Sequence, residues 1–364
     1  MQSLSASCRR VASVTPVLVS SAFLACSAAG ETAPGDAGPA PDAAPRPDAA
    51  PRPDADPAPS DEGAPPPDDA TAAPPALCNG RPDLCDRPYN DATQVCTHNA
   101  MSSVAYRFII PKPNQGVSIT EQLDAGVRCL MLDTYLFEGE RYLCHGVCGN
   151  WGKLKLEDGL REVADWLAAH PRDVVTFILE AYIDETQTRA ALEQVGLAAP
   201  AGAEDAAYPL FHADGPPGTP WPTLGDMIAA NERLVVFTDD PAANGSWHLH
   251  WPTFGFETPY NDPTFTCDHG RGDPTAGSNR IFILNHYSLG PAGGDVPIST
   301  ANNAYETVLD HARRCRSVDP VNNPFGQRPT FVNVDHFQVP VEGGGPGQEA
   351  RPDVLDAVDA LNGE

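Results

Sequence analysis

Seven residues of this chain, each at or beside the end of a short apolar run, are of types that move protons or hold cations: His98, Asp133, His145, Glu180, Glu257, Asn285 and Asp335. An imidazole titrates near ~6.5, so a histidine can start a reaction neutral or charged and can serve as base or as acid at neutral pH. Carboxylates can orient an imidazole or offer hard oxygen ligands to a divalent cation. Strand ends are often polar only because loops begin there, so each of these residues by itself carries little weight. Serine-based hydrolysis has no support, because no G-x-S-x-G elbow occurs, and no Gly-rich P-loop occurs either. His248, His250, His269 and His286 are weaker metal candidates and read as solvent-facing loop positions.

These residues need a scaffold that brings them together. Beyond Cys78, short apolar runs alternate with amphipathic stretches, the rhythm of parallel strands covered by helices. Eight strands are predicted, at 94–97, 128–133, 142–145, 174–180, 234–238, 253–257, 281–285 and 330–335. The clearest predicted helix is 156–170, with Leu160, Val163, Ala164 and Leu167 at i, i+3, i+4 and i+7 and Pro171 just past its end. Eight strands in a stretch of this size suit an α/β protein of the (β/α)₈ barrel type, whose working residues sit at the C-terminal ends of the strands. The seven candidates would then face one mouth.

Residues before this region read differently. Arg9 and Arg10 precede an apolar stretch, 11–25, of signal-peptide size and too short to span a bilayer. It ends Phe-Leu-Ala-Cys at Phe23 to Cys26, which resembles a bacterial lipoprotein processing site; ordinary cleavage nearby, with Cys26 incidental, is the other reading. Residues 27–77 are mostly Ala, Pro, Asp and Gly, with Pro-Asp-Ala-Ala-Pro-Arg recurring across 41–53, and cannot bury enough apolar surface to offset the entropy of ordering. As an extended leash at ~3.1 Å per residue they could reach about 150 Å. The chain thus divides into a signal segment 1–26, a linker 27–77 and a domain 78–364.

The formal net charge is −26, most of it carried beyond residue 77, and no basic patch emerges. Nucleic acid is excluded as a natural partner, and the acidic balance points towards divalent metal. No protein partner is implied. Of the 10 cysteines, eight fall in the domain, an even set that in an exported protein reads first as disulfides. Cys78 with Cys85 and Cys144 with Cys148 suit local pairs, and Cys267 with Cys315 would tie later segments together. A zinc site competes with this reading but lacks any C-x-x-C spacing.

Four segments occur together in order: THNAM at 97–101, QLDAGVRCLMLD at 122–133, LCHG at 143–146 and VVTFILE at 174–180. In order and spacing they resemble the X domain of phosphatidylinositol-specific phospholipase C. ETPY at 257–260, FILNH at 282–286 and FVNVD at 331–335 are similar to secreted phospholipase-C-like phosphodiesterases. The resemblance covers most of 78–364 and implies a (β/α)₈ barrel, sometimes imperfectly closed. The implied reaction is attack of an inositol 2-hydroxyl on the phosphodiester, giving a cyclic phosphate. By similarity His98 is the base, His145 the acid, and Asp335 the carboxylate that supports the base. A phospholipid at a membrane surface is the implied substrate, with Glu257 and Tyr260 as weaker substrate-binding candidates. Trp151, Tyr182, Trp247 and Trp251 could likewise stack on an inositol ring or touch lipid, although barrel packing explains any one of them. Arg128 reads as a structural ion pair.

Metal-independent relatives carry Arg and Lys where this chain has Asp133 and Glu180, and calcium-dependent relatives carry acids there. The resemblance therefore implies Ca²⁺ held by Asn99, Asp133 and Glu180. Met131 stands where animal enzymes have a fourth acidic ligand. Either the ion binds with an extra water, or another acid such as Asp184 or Glu257 substitutes, or no metal is used. For His98 and its neighbour Asn99 to reach one site, the strand must end there. Two alternatives remain open: a glycerophosphodiester or sphingomyelin-type phosphodiesterase on the same barrel, and a non-catalytic surface-binding lipoprotein.

Overall fold

The computed structural model describes residues 76–149, 152–243, 245–341 and 350–364. The signal segment, the Cys26 site and the linker up to residue 75 lie outside the described residues, as does Trp151. The strands are β1 Gln94–Thr97, β2 Cys129–Phe137, β3 Glu140–Leu143, β4 Leu154–Lys155, β5 Val175–Ala181, β6 Leu234–Thr238, β7 His248–His250, β8 Gly255–Glu257, β9 Ile281–Asn285 and β10 Phe331–Val334. The helices are α1 Ile119–Ala125, α2 Leu156–Ala169, α3 Glu185–Gln194, α4 Leu224–Ala229, α5 Trp251–Phe254, α6 Val296–Asn302, α7 Tyr305–Arg316 and α8 Asp353–Asn362. Among the described residues no helix is long and apolar enough to cross a membrane.

Eight strands pair in parallel in the order β7-β6-β5-β2-β1-β10-β9-β8. That is a (β/α)₈-type sheet, open between β7 and β8. The chain passes between those two edges through the four residues of α5 alone, instead of a full crossover helix. Strand alternation sorts the side chains into two layers. Cys96, Cys129, Ile178, Val235, Phe237, Leu249, Ile281, Ile283 and Phe331 point inward and pack together inside the barrel. Their sequence neighbours Val95, Leu130, Phe177, Val236, Phe282 and Val332 point outward, in one cluster with the apolar faces of the helices. Cys96 and Cys129 are register partners on β1 and β2 and are joined by a disulfide. Three further disulfides join Cys78–Cys85, Cys144–Cys148 and Cys267–Cys315, as the spacings suggested.

Four helices, α1, α3, α4 and α6, begin at a residue whose side chain caps them. Ser118 and Glu121 form a capping box on α1, which ends at Gly126 with φ 116°, a left-handed turn that glycine adopts without steric cost. Asp184 and Gln187 form the second box, on α3, so Asp184 is committed to a helix start.

Two predicted elements are corrected. Residues 142–145 are not a barrel strand: β3 runs antiparallel to the far end of β2, pairs next with β4, and leaves His145 in the loop that follows. The eighth parallel strand is β7, whose His248 is fully buried, as is His286 after β9, so neither is a solvent-facing loop position.

Candidate active site

The strand ends surround a cavity of about 510 Å³, within the size range of small-ligand sites. His98, Asn99, Asp133, His145, Glu180 and Glu257 all line it. His98 follows the last residue of β1, and the chain then turns: Asn99 has φ 46°, a left-handed conformation that Asn tolerates better than most residues. The turn brings two sequence neighbours into the same cavity, which a continuing strand would forbid.

His98 Nδ1 lies 2.9 Å from Oδ1 of Asp335, a buried carboxylate just past β10. With Nδ1–H donating there, Nε2 carries the lone pair and faces the cavity. Asn99 Nδ2 donates to that nitrogen at 3.1 Å and to His145 Nε2 at 3.2 Å. One amide therefore touches both imidazoles, each presenting an unprotonated Nε2. His145 Nδ1 lies 3.5 Å from Ser102 Oγ. Burial first, and then the charge of His98, lowers the pKa of His145 to about 4. Tyr287 stacks on the His98 ring with 4.0 Å between centroids.

On the next two strands of the sheet, alternate residues of β2 and β5 form rungs: Met131 pairs with Ile178 and Asp133 with Glu180. Tyr135 and Tyr182 stack above them at 4.3 Å, and the Tyr182 hydroxyl donates to Glu180. Asp133 is 5% exposed and receives no side-chain hydrogen bond among the described residues. Burial, then the charges of Glu180 and Asp239, push its carboxyl well above the usual carboxylate range. Glu257 is buried and already paired: Arg271 Nε lies 2.5 Å away and Asn285 Nδ2 donates at 3.0 Å. Arg271 also lies over the rings of Trp251 and Tyr260, and Tyr260 is exposed at the rim. Arg128, by contrast, is buried against Asp173 at the N-terminal end of β2.

A family profile described as PI-PLC X matches residues 84–343. The chain belongs to the PI-PLC X family. A protein described as an uncharacterized secreted protein of Arthroderma benhamiae is 29% identical over 72% of this chain. This chain spans only 60% of that relative's length. A PI-PLC X domain-containing protein 1 of the same fungus is 28% identical over 79% of this chain and 90% of its own. Among solved structures, a phosphatidylinositol-specific phospholipase C from S. aureus aligns over 76% of this chain and 94% of its own, with a TM-score of 0.45 and 12% identity.

Three cavity residues, Asp239, Arg271 and Tyr287, and one residue behind the cavity wall, Asn114, escaped the sequence. Asp239 lies one residue beyond β6 and could have been reached by the strand-end logic that found the others. Arg271 comes from the irregular segment between β8 and β9. Asn114, fully buried, donates to Asp335 Oδ1 at 3.0 Å from the segment between β1 and α1. Tyr287 sits two residues past β9. No pattern in those segments singles them out.

Proposed function

We propose that this PI-PLC X family member is an exported phosphodiesterase that cleaves phosphatidylinositol-type lipids by paired-histidine acid-base catalysis, giving a cyclic phosphate. One observation carries the reading: the Nε2 atoms of His98 and His145 flank a single amide nitrogen, at 3.1 and 3.2 Å, in a cavity lined by acids. A phosphodiester seated there meets a nitrogen base on one side and a second imidazole on the other. His98, its tautomer held by Asp335, takes the proton of the attacking hydroxyl, and Asp335 stabilises the imidazolium that results. His145 is neutral while the cavity holds no anion. The negative charge of the phosphodiester favours its protonated form, which then gives its proton to the departing alcohol oxygen.

The proposal includes Ca²⁺, and the donor set fits it: the Asn99 side chain and the carboxylates of Asp133 and Glu180 are hard donors, and the Asp133 carboxylate is buried and accepts no hydrogen bond among the described residues. Bound there, the ion would offset charge on the phosphoryl oxygens and lower the pKa of a nearby hydroxyl. The exposed apolar residues Ile109 and Ile110, after β1, and Val147, beside His145, suit a lipid substrate. Export is supported by four disulfides, which a reducing cytoplasm disfavours, and by the relative described as secreted.

The test is product analysis on defined phospholipids with and without chelator. The wild-type chain releases a cyclic phosphoinositol, and His98→Ala and His145→Ala each lower turnover by roughly a hundredfold or more. Histidine variants with wild-type rates would refute the assignment.

A further inference from the structure

Met131 removes the acid that would otherwise lie deeper in the cavity beneath Asp133, and its rung partner Ile178 is apolar too. A cation beside Asp133 and Glu180 must therefore find its next ligand sideways, along the sheet. The strand next to β5 is β6, whose last residue Thr238 is registered with Leu179. Asp239 comes one position further, level with Glu180. Two bonds hold it there: its N–H donates to Leu179 O at 3.0 Å, and the N–H of Ala181 donates to its Oδ1 at 2.9 Å. Its other oxygen has no hydrogen bond among the described residues, and the residue lines the cavity. Three neighbouring strands thus place Asp133, Glu180 and Asp239 side by side as mutually repelling charges. Arg271, whose charge acts on Asp239, is engaged with Glu257.

We propose that Asp239 is a ligand for a divalent cation of the Ca²⁺ class, together with Asp133, Glu180 and Asn99, in place of the acid that Met131 lacks. This rests on the cation reading given above and replaces the two substitutes the sequence suggested, since Asp184 caps α3 and Glu257 is paired with Arg271. Asp133 makes the cluster more than a patch of acids. It is 5% exposed, faces the cavity and has no donor to satisfy it among the described residues. The acids are splayed: no three acidic side chains among the described residues bring an oxygen each within 4.8 Å of one another. Tyr182 draws Glu180 towards the rim, so binding requires Glu180 to leave that hydroxyl and swing inward.

Tb³⁺ titration provides a readout independent of turnover, because Tyr135 and Tyr182 stand beside the site and can sensitise the ion's emission. Competition with Ca²⁺ then gives the affinity. Asp239→Asn keeps an oxygen to accept from Ala181 and is expected to weaken Ca²⁺ binding by about tenfold or more, while Asp184→Asn removes an equal charge and stays within about twofold. If Asp239→Asn melts below the working temperature, Asp239→Ser replaces it with the same expectation. A wild-type chain that binds Ca²⁺ alongside an Asp239 variant that binds equally well overturns the role of Asp239 and leaves the cation reading intact. A wild-type chain that binds neither ion overturns both.

Discussion

At the scale of single residues, His98, the proposed base, depends on how one carboxylate is held. Asp335 Oδ1 accepts from His98 Nδ1 at 2.9 Å and from Asn114 Nδ2 at 3.0 Å, and its Oδ2 is buried without a partner among the described residues. The two nitrogens that converge on Oδ1 are 3.3 Å apart, the spacing of two donors sharing one acceptor and not of a bond between them. Asn114 thus acts through Asp335 as a positioning residue. Removing one hydrogen bond to a charged group costs about 1.5–3 kcal/mol, so Asn114→Ala is expected to lower kcat by roughly tenfold to a hundredfold. KM should change little, because Asn114 does not line the cavity. Steady-state kinetics on a phosphatidylinositol substrate separates the two. A rise in KM at constant kcat would mean that Asn114 shapes binding instead.

At the scale of elements, His145 owes its place to a hairpin and a clip. β3 and β4 fold back on the overhang of β2, and the Cys144–Cys148 disulfide closes a loop of sequence separation 4 around the histidine. Closing so short a loop stabilises through the unfolded chain by only about 2 kcal/mol, less than a long loop would, so the rest of its effect lies in the folded loop. A Cys144→Ser/Cys148→Ser variant is therefore expected to lose roughly tenfold to a hundredfold in kcat while urea unfolding shows a stability loss of no more than about 2 kcal/mol. A larger stability loss with an unchanged kcat would make the clip a general staple. This hairpin also shows how far pattern reading reaches. Seven of the eight parallel strands were legible as apolar runs, and three of them, β1, β6 and β9, to the residue. Residues 142–145 present the same signal, an apolar run ending in a polar group, and nothing within a single run says whether its partner lies parallel or antiparallel. β7 was missed because His-Leu-His offers one apolar residue, although the barrel buries both Leu249 and His248. The cavity follows the same division. His98, Asp133, His145, Glu180 and Asp335 could be found because they lie at or near strand ends. Asn114 and Arg271 could not, because irregular segments bring them in through contacts that depend on the finished fold.

At the scale of the whole molecule, acid should loosen the fold through its buried histidines. His286, on the outward face at the end of β9, meets His311 of α7, with their Nδ1 atoms 2.7 Å apart and both rings essentially unexposed. His286 Nε2–H donates to Asn302 O at 2.8 Å, so its Nδ1 accepts from His311 Nδ1–H. Protonating His286 Nδ1 would set two donors against each other. Burial, assisted for His311 by the charge of His286, lowers the pKa of the two rings to about 4 and about 3; Arg314 adds to this, while the backbone of Asn302 opposes it at His286 and the backbone of Thr266 and the charge of Asp262 oppose it at His311. Between pH ~6.5 and 4 the unfolded chain therefore binds protons that the folded pair refuses, and stability is lost as pH falls through that window. Each ring accounts for up to about 2 kcal/mol between pH 6.5 and 5. The raised carboxyls of Asp133 and Asp239 act with the opposite sign, since there the folded chain takes up protons first. Comparison with His311→Phe cancels that contribution, because both chains carry it. Urea unfolding at intervals from pH 7 to pH 5 should give the variant a pH slope shallower than wild type by roughly 1 kcal/mol per unit on average, rising towards about 1.4 at the acid end, whatever its stability at pH 7. Equal slopes would mean that the pair accepts protons in the folded chain as readily as in the unfolded one.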